Sequence, residues 1–416
     1  MRTNNKAETV EKKSKRTLTP KLRFPEFRDA PEWQEKPLCE MSERIVEKVG
    51  DAALTPVSIT AGQGFVSQVE KFGRDISGVQ YKNYILLRKG DFAYNKGNSK
   101  SYPQGCVRRL KEFDQAAVPS AFVNFRLHDG YVPEFFEGLF EKNAHGRQLI
   151  KFITSSARSD GLLNISPDEF FSVNLPMPQD PAEQQKIADC LGSLDALIAA
   201  EGRKLVALRD HKRGLMQQLF PQPGQTQPRL RFPQFRGKGE WAEKKLGRIC
   251  KVLNNRRVPI TSNDRKPGTY PYYGASGVVD WIDDYIFDER LVLVGEDGAK
   301  WQAFENTAFI AEGKYWVNNH AHVLKVTEVI DVFLEAFLTM ADVGPFVTGT
   351  APPKLTLAQL KLIPIPLPPT KYEQQKIANC LSALDNLIAA QAAKIESLKT
   401  HKRGLMQQLF PAPEIS

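Results

Sequence analysis

The chain repeats itself, and the two parts of the repeat have different spacings, which constrains its architecture before any local reading begins. PKLRFPEFRDAPEWQEKPL at 20–38 returns as PRLRFPQFRGKGEWAEKKL at 228–246, an offset of 208. The stretch 183–221, which opens EQQKIA and closes HKRGLMQQLFP, returns at 373–411, an offset of 190, with 27 of 39 positions identical. Between these segments lie roughly 40–176 and 247–372, which show no such similarity; the fall in offset from 208 to 190 makes the interval 247–372 shorter by 18 residues than the interval 39–182. The repeated parts form a frame, and the unlike parts are inserts.

Within the 39-residue repeat, positions 194, 198, 201, 205, 208, 212, 215 and 219 step alternately by four and three, the spacing of one helical face. The apolar members are Leu194, Ile198, Leu205, Leu208, Leu215 and Leu219. The second copy gives Leu384, Ile388, Ile395, Leu398, Leu405 and Leu409, with polar exceptions at the same two places, Glu201/Gln391 and Lys212/Lys402. Pro181 and Pro368–Pro369 mark entry, and Pro221 and Pro411 bar continuation. Each helix would run on the order of 55 Å at 1.5 Å per residue, longer than a small domain needs for its own core. Two matching seams predict helix on helix, as an antiparallel pair related by a pseudo-two-fold axis. Cys190 and Cys380 fall at equivalent positions and read as small buried hydrophobes.

The inserts read as mixed α/β. Runs at 81–95, 123–128, 290–297 and 320–327 are β-rich and bounded by Gly, Asn and Asp, and helical stretches follow at about 132–151 and 329–343. In the first insert the loop carrying Lys96, Asn98, Ser99, Lys100 and Tyr102 follows a strand, and Arg158 stands in a second polar stretch. Lysine suits phosphate and Asn or Ser suits base edges, so the loop is a candidate for a DNA groove; a solvated turn has equal claim. In the second insert the candidates are Tyr273 and Ser276, then Lys300 and Trp301 after a strand, then Thr350 and Lys354.

Composition narrows the function classes. A chain of 416 residues with ordinary apolar and charged fractions is a soluble globular protein of two or three domains. Its five cysteines show no paired spacing, which points to reduced thiols and a cytoplasmic location. No apolar run reaches the roughly 18 residues of a membrane span, and the N-terminus lacks the apolar core of a secretion signal. The net charge of +9 sits in residues 1–19 and 221–246, each +4, while the inserts are nearly neutral, so charge alone does not argue for nucleic acid. Near-neutral inserts leave open a scaffold that binds only proteins. No phosphate-binding loop is present, and no NPPY-like tetrapeptide of adenine methyltransferases. Asp180, Glu183 and Lys186 lie at a helix start, where acids favour the dipole, and His320 with His322 lacks a third ligand for a metal.

Together, LRFPEF, the EQQKIA helix and the HKRGLMQQLFP ending resemble the specificity subunits of type I restriction-modification systems, over nearly all of 20–413. YNKGNSKSYPQG and ARSDGLLNIS in the first insert, and YPYYGASGVVDWIDDYIFDE and VNNHAHVL in the second, resemble that family's target-recognition domains. The resemblance implies two mixed α/β recognition domains joined by two long antiparallel helices. The expected divisions are a basic arm at 1–19, recognition domain 1 at 20–180, a helix at 181–221, a linker at 222–228, recognition domain 2 at 229–370, a helix at 371–411 and a tail at 412–416. It further implies a noncatalytic chain that binds double-stranded DNA, each insert reading one half of a split asymmetric site and the helices setting the spacer. Two modification subunits would dock on it, with restriction and translocase subunits beyond them. S-adenosylmethionine, ATP and Mg are expected on those partners and no cofactor on this chain. Recognition domains differ with their targets, so no base-contacting residue carries over from the family.

Overall fold

A computed structural model describes residues 18–60, 62–97, 102–153 and 162–411. The principal helices are α1 (Pro133–Glu141), α2 (Pro181–Leu219), α3 (Asp331–Met340) and α4 (Lys371–Leu409). Contacts divide the chain into two compact units. Unit 1 holds the chain up to Ala199 together with the segment from Glu396 onward, and unit 2 holds Ala200–Ile395. The divisions therefore fall inside α2 and α4 rather than at their ends, because the two halves of each long helix bury side chains in different cores. Ile187, Ala188 and Leu191 join the unit 1 core, while Met216 and Leu219 join that of unit 2.

Unit 1 is organised on an antiparallel four-stranded sheet in the order Ser42–Arg44, Val123–Leu127, Phe92–Asn95, Cys106–Arg109. Alternation along Phe92–Asn95 gives it two working faces. Phe92 and Tyr94 enter the core shared with α1 and the long helices, with Phe92 stacked on Phe125 at 5.2 Å, while Ala93 enters a second cluster with Val57, Ile59 and Leu87. The run expected at 81–95 is broken into a short helix, Gly78–Asn83, and two strands. Gly90 takes a φ of 97°, and buried Asp91 accepts from Arg88 N at 2.7 Å and holds the Arg126 guanidinium through both oxygens, so a turn stands where the pattern suggested a strand.

Unit 2 repeats the plan with the antiparallel order Cys250–Val252, Ala321–Val326, Leu291–Gly295, Ala308–Ala311. Beside it lies a second four-stranded sheet, Gly277–Ile282, Pro267–Gly274, Lys314–Val317, Phe287–Asp288, for which unit 1 has two small two-stranded sheets.

The frame performs the same work in both units. Arg23 donates to both carboxylate oxygens of Glu183 at 2.7 Å, and Arg231 does so to Glu373 at 2.7 and 2.8 Å. Glu183 and Glu373 are each 1 % exposed, so the acids at the helix starts serve chiefly as buried partners for these arginines. The next residue latches the insert to the helix. Gln184 accepts from Val132 N ahead of α1, and Gln374 from Ile330 N ahead of α3, capping otherwise unpaired helix donors. Strand Gln34–Pro37 pairs with Asn174–Met177, and Ala242–Lys245 with Pro364–Leu367. Phe410 packs on Phe135 at 5.3 Å, and Phe220 on Phe333 at 5.0 Å. In unit 2, Leu230 N donates to Gln218 O at 2.9 Å along a continuous stretch of chain, and in unit 1 Leu22 N makes the equivalent bond to Gln408 O at 3.0 Å although 386 positions separate them.

The helical seam positions are buried or half-buried throughout, with exposed residues between them. Its polar members find partners within the units. In unit 2, Gln391 donates to Glu201 and Lys212 bonds Asp385 at 2.6 Å, an order that runs the two segments antiparallel. In unit 1, Lys402 bonds Asp195 at 2.9 Å and Glu141 at 3.0 Å. The sequence pattern omitted Met216 and Met406, both buried, which lie beside the seam and face the inserts. Cys190 and Cys380 are half-buried.

Candidate nucleic-acid interface

In unit 2 four loops meet: 274–277, 295–301, 318–321 and 348–354. Asn318 N donates to Tyr273 O, Glu296 N to His320 O, and Leu355 N to Glu296 O, so the loops are tied by main-chain bonds. At Gly295 the backbone approach leaves no room for a side chain, since a Cβ there would lie 2.7 Å from Ala275 O and 2.3 Å from the Ala299 methyl carbon. Thr348 and Lys354 exchange two backbone bonds that close the last loop.

The structure brings the second insert's candidates to this cluster. Ser276 is exposed, and its carbonyl accepts from Asn306 Nδ2 at 2.7 Å. Lys300 is exposed and stands 3.6 Å from Glu305, and Thr350 is exposed at the tip of its loop. Lys354 is half-buried, with Nζ 2.9 Å from Glu296 and 3.7 Å from Asp297. Tyr273 is half-buried, its ring packed on Phe309 and Tyr315 at 5.6 and 5.5 Å, and burial raises its phenol pKa. Trp301 departs from the expectation of an accessible side chain. It is 6 % exposed, sits in the core, and donates Nε1–H to Gly295 O at 3.1 Å, because the indole pegs the 295–301 loop from beneath.

Beneath the cluster lies a network that sequence reasoning missed. Glu296 accepts from Arg257 and is ion-paired with Lys354. Burial works to raise its pKa, but the bonds from Arg257 and Lys354 outweigh that and hold the carboxyl below its ordinary range. His322 is fully buried, with Nε2 on Leu355 O at 2.7 Å and Nδ1 on Asn254 at 2.8 Å; burial lowers its pKa and makes it a satisfied neutral core residue. His320 precedes the strand rather than sharing it, is half-exposed, and sets Nδ1 against Asp297. The two histidines therefore have separate roles, and the described residues hold no group of three or more His, Cys, Asp or Glu arranged for a metal.

In unit 1, Asn98, Ser99, Lys100 and Arg158 lie outside the described residues. Lys96 and Tyr102 flank the first of these stretches. Lys96 is half-buried beside a cavity of about 460 Å³, which Ser120, Asn164 and Glu169 also line, and Leu163 N donates to its carbonyl at 3.0 Å. Arg108 donates to the Tyr102 hydroxyl at 2.8 Å and lies over its ring. Gly97 bridges to Leu162, so the edges of both stretches meet on one side of the unit.

Residues 238–400 match the family described as type I restriction modification DNA specificity domain. A putative type I restriction enzyme specificity subunit of Haemophilus influenzae is 39 % identical over 149 residues, 35 % of this chain and 38 % of that one. The type I restriction enzyme MjaVIII specificity subunit of Methanocaldococcus jannaschii is 27 % identical over 195 residues, 44 % and 43 % of the two chains. The matches thus span less than half the length of either relative. A crystal structure of the type I restriction-modification S subunit from M. genitalium shares the fold at a TM-score of 0.57 and 16 % identity, covering 95 % of this chain and all of that one. A chain from a study of assembly and conformational transition of the type I system superposes at 0.55, with 16 % identity and 92 % and 99 % coverage. The family model and the sequence relatives thus carry one description, type I restriction specificity, each over part of this chain, and the two solved structures share its fold.

Proposed function

We propose that this chain is the DNA-reading, noncatalytic subunit of a type I modification and restriction complex in the cytoplasm. Each insert reads one half of an interrupted, asymmetric duplex target. The repeated helices set the spacer and dock two modification subunits, to which restriction and translocase subunits add. Adenine methylation with S-adenosylmethionine, and translocation and cleavage with ATP and Mg, belong to those partners. The observation that carries this reading is the pairing of a repeated frame with dissimilar inserts. The same Arg–Glu bond, Gln latch and Phe plug recur in both units, while the loops at 274–277, 295–301 and 348–354 have no counterpart of like sequence in unit 1. A frame kept twice with its inserts varied suits a molecule that must hold two different readers in one geometry. Within unit 1 the proposed DNA-facing residues are Lys96, Asn98, Ser99, Lys100, Tyr102 and Arg158. Within unit 2 they are Tyr273, Ser276, Lys300, Thr350 and Lys354, with Trp301 as the support beneath them.

The test is to map methylated adenines in cells that carry the modification subunit with this chain, and with a chimaera in which 247–371 comes from another specificity subunit. The expected outcome is an interrupted motif of which the chimaera changes one half only. A change in both halves, or methyl transfer by the purified chain alone, would overturn the assignment. Affinity for duplex DNA that falls steeply with salt separates this reading from a protein-only scaffold.

A further inference from the structure

The loop cluster of unit 2 carries one polar side chain whose geometry exceeds what packing requires. His320 has a half-exposed ring oriented by one bond, from Nδ1 to Asp297, on a backbone fixed by two more: its carbonyl accepts from Glu296 N at 2.8 Å and its amide donates to Asn318 Oδ1 at 2.8 Å. A carboxylate can only accept, so Asp297 fixes a proton on Nδ1 and fixes the ring's orientation with it. Nε2 takes no hydrogen bond among the described residues, although half of the side chain is in solvent. Asp297 is in turn held 3.7 Å from Lys354 Nζ, and Glu296 lies 2.9 Å from the same ammonium, so the carboxylates around the ring are offset by a cation. A histidine serving packing alone would be buried and paired at both nitrogens, as His322 is two residues on.

We propose that His320 is a base-reading residue of the second recognition unit, with Asp297 as its positioning residue and Nε2 as the atom that meets a base edge in the major groove. With Nδ1–H given to Asp297, Nε2 is left as the ring atom that can accept. Its partner is an exocyclic amino group, adenine N6 or cytosine N4, which the major groove presents. Ser276, Lys300 and Thr350 on the neighbouring loops supply hydroxyl and ammonium groups for the flanking backbone. A ring fixed before binding loses little freedom on contact, which favours discrimination.

This inference rests on the DNA-reading function proposed above, and the experiment separates the two. The full chain with its modification subunit is used first to define the methylated motif. Duplexes carrying that motif, and single-pair substitutions at each second-half position, then compete for wild type, His320→Ala and Asp297→Ala. Wild type should discriminate at every specified position. His320→Ala should lose discrimination on the order of 10-fold at one second-half position and none in the first half. Asp297→Ala should weaken the same position to a smaller degree. If wild type defines a motif and His320→Ala keeps discrimination at every position, the inference fails while the functional reading stands. If wild type with its modification subunit defines no motif, the functional reading fails and this inference with it.

Discussion

Ending the chain after Pro221 removes unit 2 except for 200–221, and it also removes 396–411, which belongs to unit 1. That segment delivers Met406, Leu409 and Phe410 to the unit 1 core, where Phe410 packs on Trp33 and Phe135. The fragment still contains HKRGLMQQLFP at 211–221, identical to 401–411. In unit 2 that stretch makes the same insertion, with Met216, Leu219 and Phe220 buried. A second copy of the fragment can therefore fill the vacated slot. Three side chains at about 1.5–3 kcal/mol each give roughly 5–9 kcal/mol per slot. Two slots per dimer give roughly 10–18 kcal/mol, against an association cost of about 4–15 kcal/mol; the centres of these ranges leave about 4–5 kcal/mol, so a dimer is expected near millimolar concentration. Trp33 is the fragment's single tryptophan and is 1 % exposed in the intact chain, so its emission reports on the slot. Sedimentation should show a dimer with blue-shifted Trp33 emission, and Phe220→Ala should give monomer with emission shifted to the red. A monomeric fragment with Trp33 still shielded, or a dimer indifferent to Phe220→Ala, would refute the exchange.

Two further outcomes follow from buried polar groups. Glu373→Gln removes one partner of a pair in which the arginine and carboxylate side chains are 6 % and 2 % exposed, and should cost about 3–5 kcal/mol in urea unfolding, with Arg231→Met plus Glu373→Leu recovering most of it. Lys142 donates to the carbonyls of Phe410 and Pro411, and burial, with Arg147 and Lys21 nearby, lowers its pKa to about 8. Between that value and the ordinary lysine range the unfolded chain holds the extra proton, so stability should rise with pH across this window, and Lys142→Met should abolish that rise in denaturation curves taken from pH 7 to 10.

The repeat, read from the sequence alone, determined the frame: two long helices with a shared seam, and two inserts of mixed α/β character. This was legible because a repeated 3.6-residue pattern over 39 positions has few other ways to bury its apolar face. The polar stretches that hold Ser276, Lys300, Thr350 and Lys354 could be picked out in the sequence, Lys300 after a strand, but that they share one cluster could not, since 78 positions separate the first from the last. Tertiary structure alone decided which acids are buried. Glu183 and Glu373 read as helix-start residues, and only the fold places Arg23 and Arg231, 160 and 142 positions away, against them. It alone put Trp301 beneath its loop and divided His320 from His322, because burial is a property of what packs around a residue and not of its type. It also divided each long helix between two cores, a consequence of the LMQQLF segments inserting beside α1 and α3, which no local pattern in 211–221 or 401–411 announces.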